Sequence, residues 1–109
     1  MTIAALYAAL NATDALKGRV FYSHKTATVK LPFCFIEKDG EVHEYADDSN
    51  YCKVGDECTV ELYTEKYDPA LEAVVVGVLN ACGVTYSMTE SYDESGNFFL
   101  AAYDITITN

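Results

Sequence analysis

The pattern of apolar and polar positions changes its period within residues 59–83. Residues 60–64 alternate between apolar and polar side chains, which is typical of a strand with one buried face. After Asp68 and Pro69 the apolar positions recur three and four residues apart, as they do on one side of a helix, and the pattern stops at Gly83. Asp68 suits an N-cap, Pro69 a first helical residue, and Gly83 a helix end. The segment therefore predicts a strand followed by a capped helix.

An N-terminal helix is predicted by four apolar residues at helical spacing, which are Ile3, Leu6, Tyr7 and Leu10. Thr2 precedes them as an N-cap candidate, and the helix should end between Asn11 and Gly18. A short strand is predicted next.

Several strands are predicted in the middle of the chain. Leu31–Ile36 is nearly all apolar, as expected of a strand covered on both faces. Asp39-Gly40 predicts a hairpin turn into a second strand, Glu41–Tyr45. Gly55-Asp56 indicates a turn or bulge before the strand Cys58–Thr64.

The C-terminal third predicts two long strands, Val84–Glu90 and Phe98–Thr108, joined by the turn-rich segment Ser91–Asn97. Near its start the last strand is apolar on both faces, because Phe98 and Leu100 alternate with further apolar residues. This strand therefore has more apolar surface than one sheet face requires.

The order of these elements predicts one α+β domain over residues 1–109, with a mostly antiparallel sheet of about five to six strands packed against two helices. Half of the residues are hydrophobic, which is enough for one core, and charges interrupt the apolar runs too often for a membrane span. No basic residue precedes the apolar N-terminal run, so we expect no secretory signal and a location inside a cell.

The charge balance argues against direct binding of nucleic-acid phosphates. Seventeen acidic side chains against seven basic ones give a formal net charge of -10, and the acids are dispersed along the chain. Phosphate binding depends on clustered Lys and Arg, which this sequence lacks.

No catalytic residue, metal site or cofactor is expected from the spacing of reactive side chains. The two histidines, His24 and His43, share no motif with a cysteine. Cys52 and Cys58 are spaced too widely for a zinc knuckle, and no Gly and Glu follow the oxygen-rich segment 47–50 at the spacing of a calcium loop. We expect all four cysteines, Cys34, Cys52, Cys58 and Cys82, to be reduced. The nine tyrosines suit either subunit contacts or the surface of a sheet.

Three stretches together resemble the tail terminator or tail completion proteins of long-tailed (siphovirus-type) phages and prophages of Gram-positive bacteria. The stretches are Phe21-Tyr22-Ser23-His24 followed by Leu31-Pro32-Phe33; Glu44-Tyr45-Ala46-Asp47-Asp48-Ser49-Asn50-Tyr51; and Val60-Glu61-Leu62-Tyr63-Thr64 with Asp68-Pro69 and Glu72. Their order and spacing cover about residues 20 to 105.

The resemblance implies a ring-forming structural protein, usually a hexamer, that caps the finished tail tube and offers a docking surface to the head connector. It implies no enzyme activity and no cofactor, and it places the protein in the host cytoplasm during assembly and then in the virion tail. The implied partners are other copies of the chain, the tail tube protein and the head-tail connector protein. For these contacts the sequence offers the apolar pair Phe98 and Leu100 and the polar loop Ala46, Asp47, Asp48, Ser49 and Asn50.

Three other interpretations stay open at this point. A head-tail connector in the neck would use similar contacts one layer higher. An acidic DNA mimic would place its carboxylates at phosphate spacing to inhibit a DNA-binding enzyme. A small enzyme or ligand-binding domain would require a pocket with converging polar groups.

Overall fold

A computed structural model describes residues 1–22, 30–45 and 51–108. In these ranges the elements in chain order are α1 (Ile3–Asn11), β1 (Val20–Tyr22), β2 (Phe33–Tyr45), β3 (Tyr51–Thr64), α2 (Pro69–Ala81), β4 (Tyr86–Asp93) and β5 (Phe98–Thr108). The strands form one sheet in the order β1-β2-β3-β5-β4, in which the pair β1 and β2 is parallel and the other pairs are antiparallel. The predicted α+β class is confirmed.

Both helices begin where their predicted N-caps indicate, α1 ends at Asn11, within its predicted range, and α2 ends just before Gly83. The Thr2 hydroxyl oxygen accepts a hydrogen bond from the Ala5 amide at 3.1 Å, and the Asp68 carboxylate accepts one from the Leu71 amide at 3.1 Å. Each bond satisfies an amide that the first helical turn leaves without a backbone acceptor. Gly83 follows α2 with φ of +73°, a conformation that side chains with a Cβ rarely adopt.

The core lies between the two helices and one face of the sheet. From the helices it takes Leu6 and Leu10 of α1 and Leu71, Val75 and Leu79 of α2. The strands contribute Val20, Cys34, Ile36, Cys58, Val60, Leu62, Ala101, Tyr103, Ile105 and Ile107. In each long strand these positions alternate, as the period of a pleated strand requires. Val74 and Val78 also lie at the apolar helical positions predicted for α2, but they are only partly buried.

The predicted hairpin turn at Asp39-Gly40 is wrong. β2 continues through this dipeptide, and the register shifts between Lys38 and Gly40, so that Asp39 is an extra residue in a β-bulge. The local preference for a turn is overridden because the segments on both sides of Asp39-Gly40 pair with the same long strand, β3. β3 begins at Tyr51, whereas the sequence predicts a strand from Cys58.

A second register shift supports the prediction of a turn or bulge near Gly55. Val42 pairs with Gly55 whereas the next residue, His43, pairs with Lys53, so Val54 is the extra residue. Gly55 also forms the last pair with β5, at Thr108. Beyond it, residues 43–45 and 51–53 pair only with each other, and we call this two-stranded extension the arm.

Both β4 and the turn after it differ from the predicted bounds. β4 extends to Asp93, three residues past the predicted end, because each residue from Tyr86 to Asp93 finds a partner in β5. The Asp93 carboxylate then accepts hydrogen bonds from the Ser95 hydroxyl and the Gly96 amide. The turn therefore comprises the four residues 94–97 rather than the seven residues of the predicted segment Ser91–Asn97.

Gly55 gives the first test of this architecture. A Cβ at position 55 would lie 2.6 Å from the Ile107 carbonyl oxygen, which belongs to the backbone of β5. We expect Gly55→Ala to lower the free energy of unfolding by about 1–3 kcal/mol, since the two strands must separate. Gly77→Ala is the control: apart from its own helix backbone and chain neighbours, the added Cβ would have no described atom within 4 Å, and replacing a helical glycine should stabilise by about 0.5–1 kcal/mol. Urea denaturation measures both, and equal effects would contradict the close β3–β5 approach.

Candidate interaction surfaces

The sheet has a second face, which neither of the two described helices covers. Its members come from the alternate positions of β1, β2, β3 and β5, and we call this set the open face because neither described helix covers it: Phe21, Phe33, Phe35, Glu61, Tyr63, Phe98, Leu100 and Ala102. Phe33 is buried and the other seven are half-buried. The alternation of residues 60–64 predicts one buried face, which would leave the face of Glu61 exposed to water. The structure shows instead that most residues beyond Thr59 on this face are apolar, so only one end of the face is polar.

Aromatic rings form a continuous row across the open face. Phe33 stacks on Tyr63 with ring centroids 4.6 Å apart, and Phe21 meets Phe33 edge-on at 6.1 Å. On the other side Phe98 meets Tyr63 edge-on at 5.3 Å. Stacked and edge-to-face pairs of this kind stabilise a sheet beyond the burial of their surface. The row reaches from β1 to β5, and Phe98 is its half-exposed end.

One carboxylate lies within this apolar surface. The Tyr63 hydroxyl donates a hydrogen bond to the Glu61 carboxylate at 3.2 Å. Burial and the negative charge of Glu61 raise the pKa of Tyr63 to about 12, so the hydroxyl keeps its proton at neutral pH. The open face therefore combines aromatic contact area with a fixed negative charge.

The opposite end of the same face is acidic. The Thr59 hydroxyl lies 2.6 Å from an Asp39 carboxylate oxygen and 3.1 Å from one of Asp104, and it thereby links β2 to β5 across β3. Asp39 reaches this position because the bulge in β2 adds one residue there. The bulge thus places a second carboxylate beside Asp104.

Four charged side chains connect the two strands where the arm leaves the sheet. Asp56 has only 8% of its side chain exposed and lies 2.8 Å from the Lys53 ammonium and 3.4 Å from that of Lys38. Glu41 lies 2.6 Å from Lys38 and 3.7 Å from Lys53. A hydrogen bond from Lys53 lowers the pKa of Asp56, and one from Lys38 lowers the pKa of Glu41. Because most of these groups are exposed, we assign the network to orientation of the arm rather than to stability.

The strand β4 is an edge strand whose eight side chains are all exposed. Its residues Tyr86, Met88 and Tyr92 point to the helix side of the sheet, and 38%, 37% and 47% of their surfaces are exposed. In the described sheet its outer backbone groups have no partner strand. Exposed edges with apolar side chains are sites at which a further strand can pair.

Only some residues of the predicted interface lie within the described part of the chain. Phe98 and Leu100 lie on the open face and are half-buried, as the two-sided apolar pattern predicts. The predicted loop of Ala46, Asp47, Asp48, Ser49 and Asn50 lies outside the described residues, as does His24. The predicted strand Val84–Glu90 corresponds to β4, but the sequence did not predict that this strand is a sheet edge, although Tyr86, Met88 and Tyr92 alternate along it.

Reactive groups of the described residues do not converge on a chemical site. Burial raises the pKa of Cys34 to about 12 and that of Cys58 to about 11, which disfavours the nucleophilic thiolate. All four cysteines have free thiols, with Cys52 exposed and Cys82 partly buried. In the described ranges no group of His, Cys, Asp or Glu is arranged to hold a metal ion, and no helix is long and apolar enough to cross a membrane.

Comparison with known proteins gives a fold match without a sequence match. No known protein family and no curated protein matches the chain in sequence. One solved structure with the same fold is a chain in the virion of a native gene transfer agent (GTA) particle. The two chains share 10% of their residues with a TM-score of 0.61, and the match covers 94% of this chain and 90% of the other. At this identity the likeness shows the fold.

A pair of carboxylates beside β4 gives a test of the helix-side surface. Burial raises the pKa of Glu72 on α2, and the charge of Glu90 on β4 raises it further. The folded chain therefore binds this proton more tightly than the unfolded chain does, and stability falls as pH rises through the pKa of Glu72. We expect Glu72→Gln to gain stability relative to wild type between about pH 4 and pH 7.

Thermal denaturation at the two pH values measures this difference. Glu90→Gln, which removes the partner charge, should change stability in the same direction with pH. A stability difference between Glu72→Gln and wild type that is the same at both pH values would show that folding does not raise the pKa of Glu72.

Proposed function

We propose that this chain is a structural protein of a phage-like virion, which assembles as a ring, caps the finished tail tube and offers a docking surface to the head connector. The observation that carries the proposal is the fold match, over nearly the whole of both chains, to a component of a virion particle. The sequence resemblance to tail terminator proteins supports the same function from residues 20 to 105. We propose accordingly that the chain is not an enzyme.

Contact surfaces of the kind that a ring requires support this proposal. A protomer in a closed ring has two neighbours and also touches the layers above and below it. The half-exposed residues Phe98 and Leu100, the edge strand β4 and the arm are three separate surfaces. A pocket with converging catalytic groups would favour an enzyme instead, and burial makes Cys34 and Cys58 poor nucleophiles.

The net charge of -10 fits a protein that surrounds DNA without holding it. A channel wall rich in carboxylates repels the phosphate backbone, so that DNA passes without binding. Asp39 and Asp104, which a single hydroxyl holds together, give one acidic patch of this kind. We therefore expect no affinity for double-stranded DNA at physiological salt.

Leu100→Lys tests the open face as a contact surface in the assembly. Leu100 is half-buried on this face, so a lysine there leaves the core intact but places a charge where a partner would remove water. We expect the variant to remain folded and to lose ring formation on purified tail tubes. Thr106→Lys is the matched control, because Thr106 lies on the same strand and face but is exposed beyond the apolar row.

Light scattering over a concentration series, with and without tail tubes, measures this prediction, and electron microscopy counts capped tubes. Wild type and Thr106→Lys should cap tubes and Leu100→Lys should not. A wild-type chain that stays monomeric and ignores the tubes would refute the terminator proposal. In that case, inhibition of a DNA-binding enzyme by the wild-type chain would support the DNA-mimic alternative.

A further inference from the structure

The two edge strands of the described sheet, β1 and β4, differ in charge. β1 forms one edge and β4 the other, and in the described sheet neither has a strand on its outer side. Lys17, Arg19 and Lys30 flank β1 and are exposed, and they are three of the seven basic side chains in the chain. Asp14 is an acidic neighbour of this group in sequence.

The β4 edge has the opposite sign. Glu90 lies on β4, Asp93 ends it, and Glu94 follows in the turn; all three are exposed. Residues 84–97 contain no Lys or Arg. The β1 and β4 edges of the sheet therefore have opposite charges and can attract each other, whereas two β4 edges would repel each other.

Apolar side chains also occur at both edges, on the same side of the sheet. Beside β1, Tyr22 is 40% exposed and lines a concavity of about 290 Å³ together with Ile3, Ala4 and Tyr7 of α1. Tyr22 pairs with Ile36 of the core, which places it on the helix side. On β4 the exposed Tyr86, Met88 and Tyr92 point to that same side. Apolar surface on one edge can thus cover apolar surface on the other.

Strand direction is consistent with direct pairing of the two edges. β1 is parallel to β2, and three antiparallel steps lead from β2 through β3 and β5 to β4. β4 therefore runs opposite to β1. When a second copy continues the sheet with its helices on the same side, its β1 lies antiparallel to the first copy's β4, which is the more stable arrangement.

We propose that the β4 edge of one copy pairs with the β1 edge of a second copy, so that the chain associates head to tail through a sheet that continues across the interface. Such a heterologous contact repeats around a closed ring, since each copy uses one edge for each neighbour. Closure into a ring on the tail tube rests on the proposed function, whereas the edge-to-edge contact does not.

Two charge-reversal variants test this contact. The first changes Glu90→Lys and Glu94→Lys and makes both edges basic; the second changes Lys17→Glu and Lys30→Glu and makes both edges acidic. Arg19 is left in place because its guanidinium donates hydrogen bonds to the carbonyl oxygens of Lys30 and Pro32 at 3.3 and 3.1 Å. Each variant alone should need about tenfold more protein to self-associate, because like charges then meet at the interface.

An equimolar mixture of the two variants should self-associate at about the wild-type concentration, because basic and acidic edges then alternate. Analytical ultracentrifugation measures this, with circular dichroism as the check that each variant is folded. Variants that assemble alone as well as wild type would overturn the proposal, as would a mixture that stops at dimers. A wild-type chain that never self-associates would also overturn it.

A cross-linking experiment tests the geometry without depending on charge. In a Cys52→Ser background, Tyr22→Cys and Met88→Cys are made singly and together, and each protein is treated with a short bis-maleimide. The double variant should form a ladder of covalent oligomers, the single variants should remain monomeric, and a mixture of the single variants should give dimers. Dimers from Met88→Cys alone would mean that two β4 edges pair and would contradict the proposal. The background protein controls for Cys82.

The two proposals fail in different ways. Capped tail tubes with normal assembly of the charge variants would leave the tail function standing and refute the edge contact. Covalent ladders in solution without any capping of tubes would support the edge contact and refute the tail function.

Discussion

The structure depends on the mismatch between long strands and short helices. α1 has 9 residues and α2 has 13, so they extend about 13 and 20 Å, whereas the 14 residues of β3 extend about 46 Å. Two helices of this length cover one face of the sheet, and they leave both of its edges and the end of the β2–β3 ribbon uncovered. The buried stripe of Leu71, Val75 and Leu79 is enough for one core. The surfaces that remain are those we assign to contacts with other proteins.

β3 holds these parts together because it pairs with β2 along its whole length and with β5 up to Gly55. The bulges at Asp39 and Val54 bring β2 and β3 back into register, and the first also moves a carboxylate onto the acidic end of the open face. At Gly55 the backbone of β5 approaches so closely that a side chain would clash. β3 therefore contributes to the core, forms one strand of the arm and carries Thr59, which contacts the two carboxylates of the acidic patch, Asp39 and Asp104.

Helix caps and strand alternation depend on local geometry, and the sequence predicts them correctly. The Asp68 cap, the Gly83 helix end and the alternation of β5 depend on local geometry, and the structure has each of them. The turn at Asp39-Gly40 failed because pairing with β3, more than fifteen residues away in sequence, overrode the local preference. The ion pairs of Asp56 and the opposite charges of the two sheet edges depend on which strands become neighbours. Sequence periodicity contains no information on that order.

The fold match to a virion component and the uncovered sheet edges lead to one account, in which the chain works through contacts with copies of itself and with its neighbours in a particle. Hydrogen–deuterium exchange of the wild-type chain, free and bound to tail tubes, tests this account most directly. We predict that backbone amides of β4 become protected on the tubes, together with those of β1, while the exposed side of α2 keeps its free-state exchange. Unchanged exchange at both edges in the bound state would contradict the account.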